Sequence, residues 1–200
     1  MRRALVVGCL LFAPLVAWAA APVAKIQSMI ARPKVLCGRF DQQKQLVGLK
    51  KPVAANGRFC VVADRGVLWR TLQPFPNTLR LTREEIVQFR EDRVAMRLDA
   101  KQEPAVRLIN GVLFAVLAGD LSQLEALFEI DGSIHGNTWK VAVKARESSV
   151  AKAISSIALQ GDAYVKSVVI IEANGDRTAI TFSSIETGDA AMSADEAALF

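Results

Sequence analysis

Residues 57–81, GRFCVVADRGVLWRTLQPFPNTLRL, decide the fold. They divide into two short strands joined at Asp64-Arg65-Gly66, a break at Pro74-Phe75-Pro76-Asn77, and a third strand. Asp-Arg-Gly carries tight-turn chemistry, with glycine supplying the positive φ that such turns often need. Phe59, Val61, Val67, Trp69, Leu79 and Leu81 recur at period two, which places them on common faces of a sheet. A face this apolar needs a cover.

Upstream, Val23, Ile26, Gln27 and Ile30 lie near one helical face, with Met29 adjacent and Pro33 as the stop. Residues 35–47, VLCGRFDQQKQLV, are polar for a strand but alternate Leu36, Gly38, Phe40 and Gln42. Residues 48–57, ending in Asn56-Gly57, read as a loop. Before all of these, residues 1–19 read as a cleavable export signal. Met1-Arg2-Arg3 is basic, the following run is apolar, and Ala17-Trp18-Ala19 has the small-x-small cleavage pattern. The competing reading is an uncleaved anchor, but Pro14 interrupts an apolar run of about fifteen residues where ~20 are needed to span a bilayer. Residues 20–200 are then expected to form a single exported domain.

Removing the signal leaves Cys37 and Cys60. In an exported chain an even pair points to a disulfide, which would stabilise by roughly 3 kcal/mol through loop closure. A redox or metal pair is the alternative, but the chain has no Cys-x-x-Cys and a single histidine. The formal charge of +5 includes Arg2 and Arg3, so the mature excess is small. Basic residues are scattered along strands without interleaved aromatics, which argues against nucleic-acid binding.

Downstream, Glu84-Glu85 precedes a hairpin, residues 86–89 and 94–98, around Arg90-Glu91-Asp92-Arg93. Val94, Met96 and Leu98 share one face of its second strand. Residues 104–117, PAVRLINGVLFAVL, read as a helix buried on most of its surface, opened by Pro104 and closed by Gly119. A second helix follows, with Asp120 as N-cap and Leu121, Leu124, Leu127 and Phe128 as its stripe. The pair fits a lid in the mouth of a curved sheet, or an ordinary layer packed on one sheet face. Residues 138–146 alternate without fault, residues 149–154 form one helical turn, and 157–160 and 165–173 read as strands. Asn174-Gly175 signals a type I′ hairpin returning through 177–185. Ser193 and Glu196 form a capping box for a short terminal helix. About nine to eleven antiparallel strands with few helices make the fold class α+β.

Chemistry is sparse. His135, in Gly132-Ser-Ile-His-Gly-Asn137, lacks partners for a zinc ligand set. Ser149-Val-Ala-Lys152 matches a Ser-x-x-Lys element, but no Ser-Asp-Asn or Lys-Thr-Gly accompanies it. No phosphate-binding glycine loop is present, and no nucleophile with a positioned base can be assembled. No enzyme activity and no cofactor are expected.

Gly38-Arg39-Phe40, Gln42 or Gln43, Lys51-Pro52, Gly57-Arg58-Phe59, Leu68-Trp69 and Pro74, taken in order, resemble the periplasmic outer-membrane lipoprotein carriers, the LolA-like proteins. The resemblance spans about 33–185. It implies an incomplete antiparallel β-barrel, lidded by helices, whose hydrophobic cavity accepts acyl chains. On that basis Phe40, Phe59, Val67, Trp69, Leu79, Leu81 and Met96 are expected to line the cavity. Leu108, Val112 and Leu117 of the lid would fill it when empty. Arg65 and Arg70 are candidates for a headgroup. The cargo would be a lipid or acylated lipoprotein, received from an inner-membrane exporter and passed to an outer-membrane acceptor by a monomer. Two departures point to a divergent branch: Ala63-Asp64-Arg65-Gly66 stands where the best-known carriers have Arg-Pro, and the cysteine pair is not theirs. A sensory or regulatory module on the same fold is the alternative, favoured by an apolar patch outside the barrel, and a hydrolase comes third.

Overall fold

The computed structural model describes residues 23–90, 93–102, 128–146 and 148–200, and between 102 and 128 also residues 111, 112, 114, 115, 117, 121, 124 and 125. Eleven strands form one antiparallel sheet. A helix α1 (Val23–Met29) leads into β1 (Val35–Gln45), β2 (Val53–Val62), β3 (Gly66–Gln73), β4 (Asn77–Leu81), β5 (Glu85–Arg90) and β6 (Arg93–Asp99). Then follow β7 (Phe128–His135), β8 (Thr138–Ala145), a turn of helix α2 (Ser148–Ala151), β9 (Ile154–Gly161), β10 (Val165–Glu172) and β11 (Arg177–Thr187). A 3-10 turn (Asp189–Ala191) and α3 (Ala194–Ala197) end the chain.

The spatial order β6-β5-β4-β3-β2-β1-β11-β10-β9-β8-β7 leaves β6 and β7 as unpaired edges. The sheet is therefore an open half-barrel, and the chain between Asp99 and Phe128 must pass from one edge to the other. The described residues of that connection, among them Val112, Ala115, Leu117, Leu121 and Leu124, lie in the apolar cluster of the sheet. Register shifts in the β1–β11, β2–β3 and β5–β6 pairs, with the extra residue on β11, β3 and β6, add the bulges that bend such a sheet. One shift pairs Val94 with Phe89, so the simple alternation expected along β6 breaks at that point.

Three local readings need correction. Asn56-Gly57 is not a turn but lies inside β2, at a bulge where Gly57 is fully enclosed by its neighbours. Residues 128–135 are strand β7, not the end of a helix: Phe128, Ile130, Gly132 and Ile134 alternate inward, and the N-cap signal before them masked this period. Asn174-Gly175 does not form a type I′ turn. The Gly175 amide donates to Glu172 O, and Gly175 at φ 89° is the positive-φ residue there, which is the three-residue hairpin with a bulge.

The two faces of the sheet are buried differently. The concave face joins α1, the connecting segment and all strands from β1 to β11 in one apolar cluster. Ile26 of α1 is fully buried above Gly132, where a Cβ would come within 2.7 Å of its Cδ1. The convex face carries a second, smaller cluster of Val35, Cys37, Cys60, Val62 and Leu68, covered by Ala191, Met192, Leu199 and Phe200. Cys37 and Cys60 are direct partners across β1 and β2 and form a disulfide beneath this C-terminal tail.

Arginines from β2, β4 and the β2–β3 turn hold the tail. Arg58 donates to Glu196 Oε1 at 2.8 Å and to the Ala191 carbonyl, Arg80 Nη1 donates to Leu199 O at 3.0 Å, and the Arg65 guanidinium lies over the Phe200 ring. Glu196 also completes the capping box with Ser193, as its spacing indicates. Burial alone would raise the Glu196 pKa, but the Ser193 amide and Arg58 outweigh it and hold the carboxyl below its ordinary 4.5. A lowered folded pKa stabilises docking above the unfolded value and loses that contribution as pH falls through the folded one. Glu196→Gln is expected to weaken tail docking by about 1–2 kcal/mol at neutral pH. The check is the rate at which a phosphine reductant opens Cys37–Cys60. It should rise in the variant, and in the wild type as pH falls below 4.5. An unchanged rate in both would mean that the tail does not guard the disulfide.

Candidate functional site

The concave face is built from cross-strand rows. Leu36, Val61, Val67, Leu81, Ile86 and Leu98 lie in register across β1 to β6, and Phe59, Trp69, Leu79, Gln88 and Met96 form the next row. Direct neighbours of this kind are the unit of sheet packing. Every aliphatic or aromatic member inboard of β5 therefore faces the same interior.

The two Gly-Arg-Phe motifs form the floor by interlocking. Gly38 pairs with Phe59, and Gly57 pairs with Phe40. A Cβ at Gly38 would stand 2.9 Å from Phe59 Cε1, and one at Gly57 would stand 2.8 Å from Phe40 Cε1. Each ring thus lies over the other motif's missing side chain, while Arg39 and Arg58 project to the convex side. Trp69 stacks on Phe40 with centroids 3.8 Å apart, and Phe182 of β11 meets Phe59 edge-on at 5.0 Å. The result is a continuous aromatic patch of Phe40, Phe59, Trp69 and Phe182.

Over it lies the connecting segment. Gly111, Val112, Phe114, Ala115 and Leu117 are helical, and Val112, Ala115, Leu117, Leu121 and Leu124 are buried in the concave cluster. Gln27 of α1 ties the segment down by accepting the Leu121 amide at 2.9 Å. Beside Phe114 and Leu117 an opening of about 230 Å³ remains, floored by Leu36 and Val61 and rimmed by Arg32, Asp64, Arg65, Arg83 and Glu84. A gap of about 20 Å³ adjoins it through Leu36 and Leu117 and reaches Phe59 and Phe182.

The expected lining residues fall as follows. Phe40, Phe59, Val67 and Leu81 are buried in the concave cluster, and Trp69 and Leu79 pack half-buried against it. Val112 and Leu117 sit in the same cluster from above, and Leu108 lies outside the described residues. Met96 occupies the concave row at the outermost strand but is 39% exposed. Arg65 stands at the rim of the opening and is shared with Phe200. Arg70 needs correction as a headgroup contact. It alternates with Trp69 and shares the parity of Leu68, so it faces the convex side, away from the lid.

Leu36, Val61, Phe114 and Phe182 belong to this interior as well. Their signal was present in the alternation of Leu36 with Phe40 and of Ile180 with Phe182, but nothing in the pattern said which face was concave. Elsewhere, His135 is exposed at the end of β7, its carbonyl accepting from Thr138 Oγ1 at 2.9 Å. The side chain of Ser149 lies outside the described residues. Among the described residues one group of acidic and sulfur side chains, Cys37, Cys60 and Glu196, is close enough to share an ion, but its sulfurs are bonded to each other. No helix among the described residues is long and apolar enough to cross a membrane.

A family profile described as outer membrane lipoprotein carrier protein LolA-like matches residues 16–199. No curated protein matches the chain by sequence. Among solved structures, a LolA superfamily protein from Nitrosomonas europaea superposes with TM-score 0.45 at 7% identity, covering 84% of this chain and 92% of that one. A putative outer membrane lipoprotein-sorting protein domain from Vibrio parahaemolyticus gives 0.43 at 8%, covering 86% and 93%. The MucA/MucB complex from Pseudomonas aeruginosa gives 0.41 at 15%, covering 88% of this chain and 62% of that one.

Proposed function

Because the chain belongs to the outer membrane lipoprotein carrier protein LolA-like family, we propose that it is a periplasmic carrier that takes acyl chains of a lipid or lipoprotein into the half-barrel and moves them from inner to outer membrane. An inner-membrane exporter would load it and an outer-membrane acceptor would unload it. The observation that carries the reading is the continuous apolar floor under a lid whose own side chains occupy the interior beside a residual opening. Phe40, Phe59, Val67, Trp69, Leu79 and Leu81 form the floor of the site, and Val112, Phe114 and Leu117 are what a guest displaces. Met96 closes its outer edge.

Volume decides how a guest fits. Small-molecule pockets run to roughly 300–1,000 Å³, and the present opening is about 230 Å³. An acyl chain enters only as the lid withdraws. Each buried methylene contributes about 0.8 kcal/mol, so a chain of a dozen or more carbons can offset the apolar contacts that Val112 and Leu117 give up.

Native mass spectrometry of protein recovered from the periplasm tests the reading. A discrete added mass matching a lipid or acyl group is the expected result, and it names the cargo. A bare protein mass throughout would turn the assignment to the second reading, a binding module that recognises another protein on this fold. On that reading the exposed apolar side chains outside the barrel, notably Val47, Leu49 and Phe75, would be the partner surface.

A further inference from the structure

Seven large apolar side chains are strongly exposed among the described residues, and five of them lie on two neighbouring hairpins. Val47 is 68% exposed, Leu49 52% and Val53 48% at the β1–β2 hairpin, and Leu72 is 49% and Phe75 81% at the β3–β4 connection. The hairpins adjoin, since β2 pairs with β3 and Asn56 Nδ2 donates to Gln73 Oε1 at 3.1 Å. Both point away from the rim of the lid-side opening, which is formed by the β2–β3 and β4–β5 turns at the other end of the strands.

The tips are shaped, not loose. The Leu49 amide donates to Leu46 O at 3.1 Å, and Gln45 Nε2 donates to the Leu46 and Leu49 carbonyls. The Val47 amide donates to Asp176 Oδ1 at 2.8 Å, and Phe75 stands between two prolines. The hydrogen bonds fix the first hairpin with its apolar side chains turned outward.

Charge points to the partner. The segments 46–53, LVGLKKPV, and 72–77, LQPFPN, contain two lysines and no acid. Lys50 and Lys51 are exposed and have no ion-pair partner among the described residues. Two acids close to the first hairpin are occupied, since Glu172 accepts from Lys44 at 2.6 Å and Asp176 accepts from Val47 and Asn174, and Asp41 is the acid that flanks Gln73 and Pro74. Convex apolar tips beside unpaired lysines match the interface of an anionic bilayer, where apolar side chains enter the headgroup region and lysines meet its negative potential. A protein partner's hot spots call instead for a desolvated apolar pocket, whereas the groove beside Gln73 and Pro74 is walled by Asp41, Gln42, Gln43 and Asn56.

We propose that the β1–β2 and β3–β4 hairpin tips dock the protein on anionic membrane surfaces, with Leu49 and Phe75 inserted among the headgroups and Lys50 and Lys51 binding anionic lipid. This surface is distinct from the interior site and does not depend on it. The test is co-sedimentation of the exported protein with vesicles of phosphatidylcholine, with and without phosphatidylglycerol. Binding is expected on the vesicles containing phosphatidylglycerol and should weaken with added salt. L49S/F75S is expected to lower it at least about tenfold, and K50E/K51E by about tenfold or more. L49S/F75S keeps the wild-type melting temperature and any lipid mass seen in native mass spectrometry, which separates this surface from the carrier reading. Failure of the wild type to pellet with protein-free vesicles, which would leave the tips to a protein partner, overturns the proposal. Equal pelleting of L49S/F75S overturns it too.

Discussion

Val112→Glu is expected to cut acyl uptake at least about a hundredfold while leaving the sheet folded. Val112 is 5% exposed and packs in the concave cluster from the lid side. An unpaired carboxylate beside a hydrocarbon guest costs several kcal/mol, and every 1.4 kcal/mol is about tenfold in affinity. The strand pairings, the Cys37–Cys60 bond and the tail clamp do not involve Val112, so the framework survives the change. Uptake of a fluorescent fatty acid, read beside far-ultraviolet circular dichroism, separates the two effects. Trp69→Arg, which places a charge on the opposite wall, should lose uptake in the same way. Folded variants of both kinds that still load acyl chains would remove the interior from consideration as the binding site.

Gly57→Ala is expected to cost about 3 kcal/mol of stability, a fall in melting temperature of about 6–12 °C. A Cβ there would lie 1.9 Å from the Arg70 carbonyl oxygen and 2.9 Å from its carbon, so a backbone would have to move. It would also strike Phe40, whose ring holds Trp69 in place. The variant therefore disturbs the strand pair and the cavity floor together. Thermal unfolding with the disulfide intact measures it. A midpoint unchanged from wild type would mean that the interlocked Gly-Arg-Phe motifs are not a packing requirement.

The strands from β1 to β6 and from β8 to β11 were legible because alternation is a local property of the chain. The disulfide followed from the two cysteines left outside the expected export signal, and the terminal capping box from Ser193 and Glu196. What alternation could not supply was handedness. Trp69 and Arg70 were visibly on opposite faces, yet only the sheet topology and its interior cluster show that the Trp69 side is concave. Asn56-Gly57 misled because the same dipeptide serves a turn or a close approach between strands, and only the neighbouring Arg70 carbonyl distinguishes them. The clamp on the C-terminal tail was out of reach for another reason. Arg58 and Arg80 look like ordinary outward strand residues, and Arg65 like a turn residue, until Ala191, Glu196, Leu199 and Phe200 are folded against them.

The most direct measurement uses Trp69 as a reporter, because it stacks on Phe40 at the floor of the interior. In a variant carrying Trp18→Phe and Trp139→Phe, Trp69 is the one tryptophan of the chain. Titration with a fatty acid brominated along its chain should quench its emission to saturation at a stoichiometric end point, and the unbrominated acid should displace the quencher. Emission that stays constant while the same acid is shown to bind would place the hydrocarbon elsewhere and contradict the account.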